Sequence, residues 1–211
     1  MQKAETLMIG IIILSFVIGA YLYPQMPEKI ASHWNAEGKV NGYLPKFWGL
    51  FLMPLVSLGL FLLFLAIPKI DPMKANIEKF KNYYDGFVAL FIAFLFYLNL
   101  LVISSNLGFE FNIIQALSPA FGILFYYCGI LVENAKQNWF IGIRTPWTLS
   151  SERVWNKTHR IGGRLFKIAG AVAAVGIFSP GFAPFLVIVP VILIAAYTFV
   201  YSYLEYQRGK E

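Results

Sequence analysis

Long stretches of this chain carry no charge. No Asp, Glu, Lys or Arg occurs in Thr6–Pro27, Phe47–Pro68, Gly86–Phe109, Phe111–Val132 or Ile168–Leu204, runs of 22, 22, 24, 22 and 37 residues. They are rich in Ile, Leu, Val, Phe and Ala. About 20 such residues in a helix cross the ~30 Å apolar core of a bilayer. A charge held at mid-membrane costs ~2.5–3.5 kcal/mol. The chain is therefore expected to be an all-α, polytopic protein of the cell membrane, with its function in the polar segments between the spans.

The first four runs each suit one helix. The fifth would reach ~55 Å as a single helix, and it is interrupted by Ser179-Pro180-Gly181 and then Pro184. Proline removes a backbone donor and glycine relaxes the backbone, so a turn is expected there and the spans number six. The fifth span is short unless it begins before Ile168, with Arg164 and Lys167 in its first turns and their heads reaching back to the headgroups. With both termini in the cytoplasm, 14 of the 17 Lys and Arg fall inside and only Lys29, Lys39 and Lys46 outside. A five-span arrangement would strand Arg208 and Lys210 outside. Thr6–Tyr23 reads as a retained anchor: Lys3 is offset by Glu5, the apolar stretch is long, and Tyr23-Pro24 is a poor cleavage site. The expected organisation is one membrane domain, residues 1–211. Within it, 1–67 form a two-helix unit with a long outer loop, 68–133 a central two-helix unit, and 134–211 the remainder.

Composition narrows the chemistry. The single cysteine, Cys128, precludes an intrachain disulfide. The two histidines, His33 and His159, fall on opposite membrane faces, so zinc lacks candidate ligands and neither metal nor cofactor is expected. No nucleophile–base spacing of a hydrolase is visible, and an enzyme is not expected. The net charge of +6 follows from the cytoplasmic bias and an affinity for anionic membrane lipids; it calls for no nucleic acid. Candidate polar groups inside the spans include Ser57, Asn99, Ser104, Ser105, Asn106 and Gln115. Asn99 lies nearest a span centre. It reads as one interhelical hydrogen bond, worth ~0.6 kcal/mol, rather than a transport site.

Two polar segments exceed what a connector needs. Outside, more than twenty residues from Tyr23 to Lys46 join the first two spans, where 2–8 usually suffice. Pro24 and Pro27 end the first helix, and Asn41-Gly42 signals a tight turn. His33-Trp34-Asn35 sets an imidazole, an indole and an amide in sequence. That trio suits a ligand held by stacking and hydrogen bonds, or an interfacial aromatic belt.

Inside, Asn138–Arg164 holds three of the five tryptophans. Thr145-Pro146 disfavours helix up to that point. Ser150 is the expected N-cap, with Glu152 in the first turn. Arg153, Lys157, Arg160, Arg164 and Lys167 then recur at helical steps and share one face. The expectation is a cytoplasmic amphipathic helix at the membrane surface that feeds the fifth span. Arg144 stands between apolar residues, near Pro146 and Trp147. It suits a clamp on Glu133 or Glu152, a contact to an acidic ligand, or stacking on Trp147.

The inner segment resembles the signature of the SdpI immunity-protein family in Gly142-Ile143-Arg144-Thr145-Pro146-Trp147-Thr148-Leu149-Ser150, Glu152, Val154-Trp155, Thr158-His159 and Gly162-Gly163. The outer segment resembles an N-terminal membrane domain of unknown function that often accompanies it, in Pro24, Pro27, Ile30, His33-Trp34-Asn35, Gly38 and Gly42-Tyr43. The resemblance implies immunity against a secreted antimicrobial peptide. It also implies a signalling role in which a toxin-bound member captures a soluble winged-helix repressor. On that implication His33, Trp34, Asn35, Gly38, Gly42 and Tyr43 form an outer ligand site. Arg144, Thr145, Pro146, Trp147, Thr148, Glu152, Trp155, Thr158, His159 and Gly163 form an inner partner site or a structural signature. The alternative function is a small-molecule transporter or channel.

Overall fold

The computed structural model describes residues 2–209; Lys210, counted above in the cytoplasmic tail, lies outside them. The chain runs through α1 (Gln2–Leu22), a 3-10 turn (Tyr23–Gln25), β1 (Lys29–Trp34), β2 (Val40–Pro45), α2 (Lys46–Ile70), α3 (Lys74–Glu78) and α4 (Lys81–Asn106). It continues through α5 (Ile113–Asn134), α6 (Pro146–Ser150), α7 (Glu152–Val175), a 3-10 turn (Gly176–Phe178) and α8 (Ala183–Gln207). Among the described residues, six helices are long and apolar enough to cross a membrane: α1, α2, α4, α5, α7 and α8. The fifth uncharged run breaks at Ser179–Phe182, where the turn was expected, and α8 carries a proline in its first turn.

Three features depart from the sequence reading. First, the outer segment is an antiparallel β-hairpin added to the helical bundle. Its turn is not at Asn41-Gly42, which lies inside β2 beside a register shift at His33. It falls at Asn35–Lys39: Asn35 N–H donates to the Lys39 carbonyl (2.9 Å), Gly38 N–H donates to the Asn35 carbonyl (2.9 Å), and Gly38 adopts φ +76°. That left-handed conformation favours glycine. Second, the basic amphipathic segment is no separate surface helix. It is the first half of α7, unbroken from Glu152 to Val175 and packed along α5. The reason is glycine: a Cβ at Gly129 would stand 2.5 Å from the Gly163 carbonyl, and one at Gly122 would stand 2.8 Å from the Gly170 carbonyl. Small residues let the two backbones approach, a recurrent solution for helices in lipid. Third, the cap of α7 is Ser151, whose Oγ accepts from Val154 N–H, while Ser150 ends α6 and donates to the Pro146 carbonyl (2.6 Å).

The helices form two groups. α1, α2 and α4 pack on one another, α5, α7 and α8 do likewise, and α4 meets α5 to join them. Asn99 is fully buried, and its Nδ2 donates to Ser15 Oγ (3.0 Å), tying α4 to α1. The hairpin sits at the end of the bundle where α4 gives way to α5: Asn106 on α4 bonds Ala31, and Gly38 lies against Asn112. The 135–145 segment sits at the other end, bonded to the α2–α4 connection through Asp71 and Asn76. The two unusual segments are thus at opposite ends of the molecule.

Candidate functional site

The inner segment is built around side-chain amides and hydroxyls bonded to its backbone, with the buried Thr158 Oγ1 left without a partner among the described residues. Asn138 is fully buried; its Oδ1 accepts from Phe140 N–H (2.9 Å) and Ile141 N–H (2.6 Å), and its Nδ2 donates to the Lys136 and Ile141 carbonyls (both 2.8 Å). These four bonds use the full capacity of the amide. Gln137 Nε2 donates to the Thr148 and Leu149 carbonyls, fastening the loop to α6. Asp71, just past α2, accepts from Trp139 N–H (2.9 Å), and Asn76 donates to the Gln137 carbonyl (2.9 Å).

The chain then turns at Gly142, whose φ is +118°. A Cβ there would collide with His159 Nε2. The turn aims Ile143 N–H at that nitrogen (3.0 Å), so Nε2 is the acceptor and Nδ1–H donates to the Trp155 carbonyl (2.9 Å). Both ring nitrogens of a neutral imidazole are thereby used. The ring stacks on Trp155 at 3.8 Å and 16°, and Trp155 Nε1 donates to the Ala135 carbonyl (2.8 Å). Trp155 and His159 are 0 and 1 % exposed, so neither presents a surface to a soluble partner.

Thr145 and Thr148 form a reciprocal capping box at α6, with Pro146 in its first turn. Thr145 Oγ1 also donates to Ser202 Oγ (3.0 Å), and Trp147 packs on Phe199 and Tyr203, docking α6 onto α8. Thr158 is fully buried, and Gly163 lies against Glu133. Glu152 is exposed in the first turn of α7.

Arg144 is exposed, and its Nη1 donates to the Trp139 carbonyl (2.7 Å). The clamp on Glu133 or Glu152, one of the alternatives above, does not form among the described residues: Lys167 takes Glu133, and Arg144 is spent on the Trp139 carbonyl. Nor does Arg144 stack on Trp147, whose ring partners come from α8. The acid that organises the basic stripe is Glu205 near the end of α8. It is 3 % exposed and meets Lys157 (2.7 Å), Arg208 (3.1 Å) and Arg153 (3.6 Å).

The outer hairpin does not unite its polar trio. Trp34 packs against the cluster that includes Met26, Ile30, Leu50 and Val102. Asn35 belongs to the turn, its Oδ1 accepting from Lys39 N–H (2.8 Å). His33 is exposed, and its Nδ1 donates to Asn41 Oδ1 (2.5 Å). Gly42 faces His33, where a Cβ would meet the His33 Cβ at 2.9 Å. Tyr43 is 60 % exposed. The exposed polar groups brought together are therefore His33 and Asn41, with Tyr43 nearby on β2. Asn106 secures the hairpin: its Oδ1 accepts from Ala31 N–H (2.8 Å), and its Nδ2 donates to the Ala31 carbonyl (3.0 Å). Among the described residues, β2 has no strand on its other side.

Sequence reasoning missed Asp71, Asn76, Gln137, Asn138 and Glu205, and it named Asn106 as a polar group of the third span without its bonds to the hairpin. A usable signal existed for two of them: Asp71 directly follows the second span, and Glu205 is the lone acid closing the last uncharged run.

Comparison with known proteins finds a family match for each of the two segments. Residues 134–202 match the model of the SdpI/YfhL protein family, and residues 10–58 match the domain of unknown function DUF1648. The chain is 31 % identical to the Immunity protein SdpI of Bacillus subtilis (strain 168) over 194 residues, covering 92 % of this chain and 91 % of that protein. No solved structure matches it. The match begins at the end of α5 and reaches into α8, and with the 31 % identity over most of both chains it places the protein in the SdpI/YfhL protein family.

Proposed function

We propose that this protein is a multi-pass membrane immunity protein that protects its cell by binding a secreted antimicrobial peptide at the hairpin end, without chemistry. The single observation that carries the reading is the hairpin itself. It holds His33, Asn41 and Tyr43 exposed at the end of the bundle with few basic residues, where an apolar or amphipathic peptide concentrates at the interface. The free edge of β2 offers main-chain groups to an extended peptide, and alternate side chains supply selectivity.

The inner end recruits a soluble repressor in this scheme. Its contact surface is Arg144 with the exposed Trp139 and Phe140, which the buried signature residues hold in place. The opposite placement of the two segments gives a receptor a ligand face and a partner face, coupled through α5 and α7.

The test is protection. Cells sensitive to a panel of secreted antimicrobial peptides are made to express the chain, and survival is scored for each peptide. His33→Ala and Tyr43→Ala are expected to lose at least about tenfold in protective dose, the scale of a lost anchor contact, at unchanged membrane levels. Full protection by both variants contradicts the outer site. Arg144→Ala is expected to keep protection and lose repressor capture.

A further inference from the structure

The basic stripe of α7 is not uniformly paired. Arg153 and Lys157 meet Glu205, and Lys167 meets Glu133. Arg160 and Arg164, between them, are exposed and have no ion pair among the described residues. They line a recess of about 470 Å³ together with Lys136, Asn134, Asn156 and Glu133. Three cations there face one carboxylate, which Lys167 already occupies.

Arg164 also closes one end of a second hollow. This is a groove of about 460 Å³ between α7 and α8, lined otherwise by Ile161, Leu165, Leu193, Ile194 and Tyr197. Its wall is apolar apart from that arginine. A cationic recess and an apolar groove therefore meet at a single side chain.

Their depth in the membrane follows from the chain. The uncharged run of α5 ends at Val132 and that of α7 begins at Ile168, and the next residues inward, Glu133 and Lys167, pair with each other. That ion pair marks the inner edge of the apolar zone. Arg164 and Arg160 lie about one and two turns further toward the inner end, at headgroup height; the groove opens beside them at Ile161 and Leu165 and runs outward along α8 from Tyr197 to Leu193.

We propose that this junction binds one anionic phospholipid, with the phosphate held by Arg160, Arg164 and Lys136 and an acyl chain lying in the α7–α8 groove. Guanidinium groups pair with phosphate through two parallel N–H bonds. A soluble phosphate compound would use the recess alone; the continuous apolar groove is what selects a lipid.

The test uses the full chain purified in uncharged detergent and titrated with phosphatidylglycerol or phosphatidylcholine of identical acyl chains. Bound lipid is counted by native mass spectrometry. The proposal predicts one saturable phosphatidylglycerol per chain and at least about a tenfold preference over phosphatidylcholine, on the scale of two interfacial cations. Arg160→Gln/Arg164→Gln removes that preference. Lys74→Gln, an exposed cation at the same end, keeps it. Leu193→Trp, which fills the groove and leaves every charge in place, weakens phosphatidylglycerol binding and keeps the proposal testable if the double variant misfolds. Millimolar glycerol 3-phosphate leaves the lipid bound. Equal retention of the two lipids overturns the proposal, as does equal loss in Lys74→Gln. Displacement by glycerol 3-phosphate assigns the recess to a soluble anion, and unchanged binding in Leu193→Trp removes the acyl groove.

Discussion

At the scale of single residues, His159 is the keystone of the inner segment. One ring nitrogen receives the N–H that Gly142 turns toward it, the other holds the Trp155 carbonyl, and the ring face rests on the indole. His159→Ala leaves the Ile143 N–H unpaired beside a new cavity, so a loss of about 2–4 kcal/mol is expected. Gly142→Ala forces a side chain into left-handed backbone and into the imidazole, for about 1–3 kcal/mol. Thermal unfolding in detergent, with proteolysis across 135–150, reads both; unaltered melting would remove the keystone role. Glu205→Gln strips the carboxylate from Lys157, Arg153 and Arg208. Because the cations retain water, about 1–3 kcal/mol is expected, with the α7–α8 contact loosened first in hydrogen exchange. The histidine and tryptophans stood out in the sequence because such residues are rare in this chain. Their burial did not, since a basic amphipathic pattern looks the same on a surface helix and on a helix whose charges meet an acid from a distant span.

At the scale of elements, six spans and the break at Ser179–Phe182 were legible, because absent charge and proline act through local chemistry. The hairpin was not. Its strands are only six residues each, and their pairing depends on Ile30 seating over Gly49 and on Asn106 reaching from α4, 75 residues away from Ala31. Asn106→Ala is expected to cost about 1–3 kcal/mol locally. Amide exchange should accelerate across Lys29–Pro45 while the helices keep their protection; uniform acceleration would show that the hairpin is not a separate unit. A start of the fifth span before Ile168 was legible, with Arg164 and Lys167 inside it; the close seam with α5 was not, since the glycines that let α7 lie there are spaced for a partner that the local pattern does not contain. Gly170→Leu places a side chain against the Gly122 carbonyl and Tyr126 N–H, and is expected to cost about 3 kcal/mol or more or to block assembly. Wild-type stability in that variant would contradict the close α5–α7 seam.

At the scale of the whole molecule, the arrangement is a bundle with two differently built ends. One end carries a hairpin with exposed His33, Asn41 and Tyr43; the other carries most of the basic residues and a loop whose polar groups are nearly all used internally. A binding protein that reports from one side of a membrane to the other requires these ends to face different compartments. Single cysteines at Tyr43 and at Arg144, in a Cys128→Ala background, test this with a membrane-impermeant maleimide on intact cells. The account predicts that Tyr43→Cys is labelled directly and Arg144→Cys only after lysis. Labelling of both positions in intact cells, or the reverse order, would contradict it.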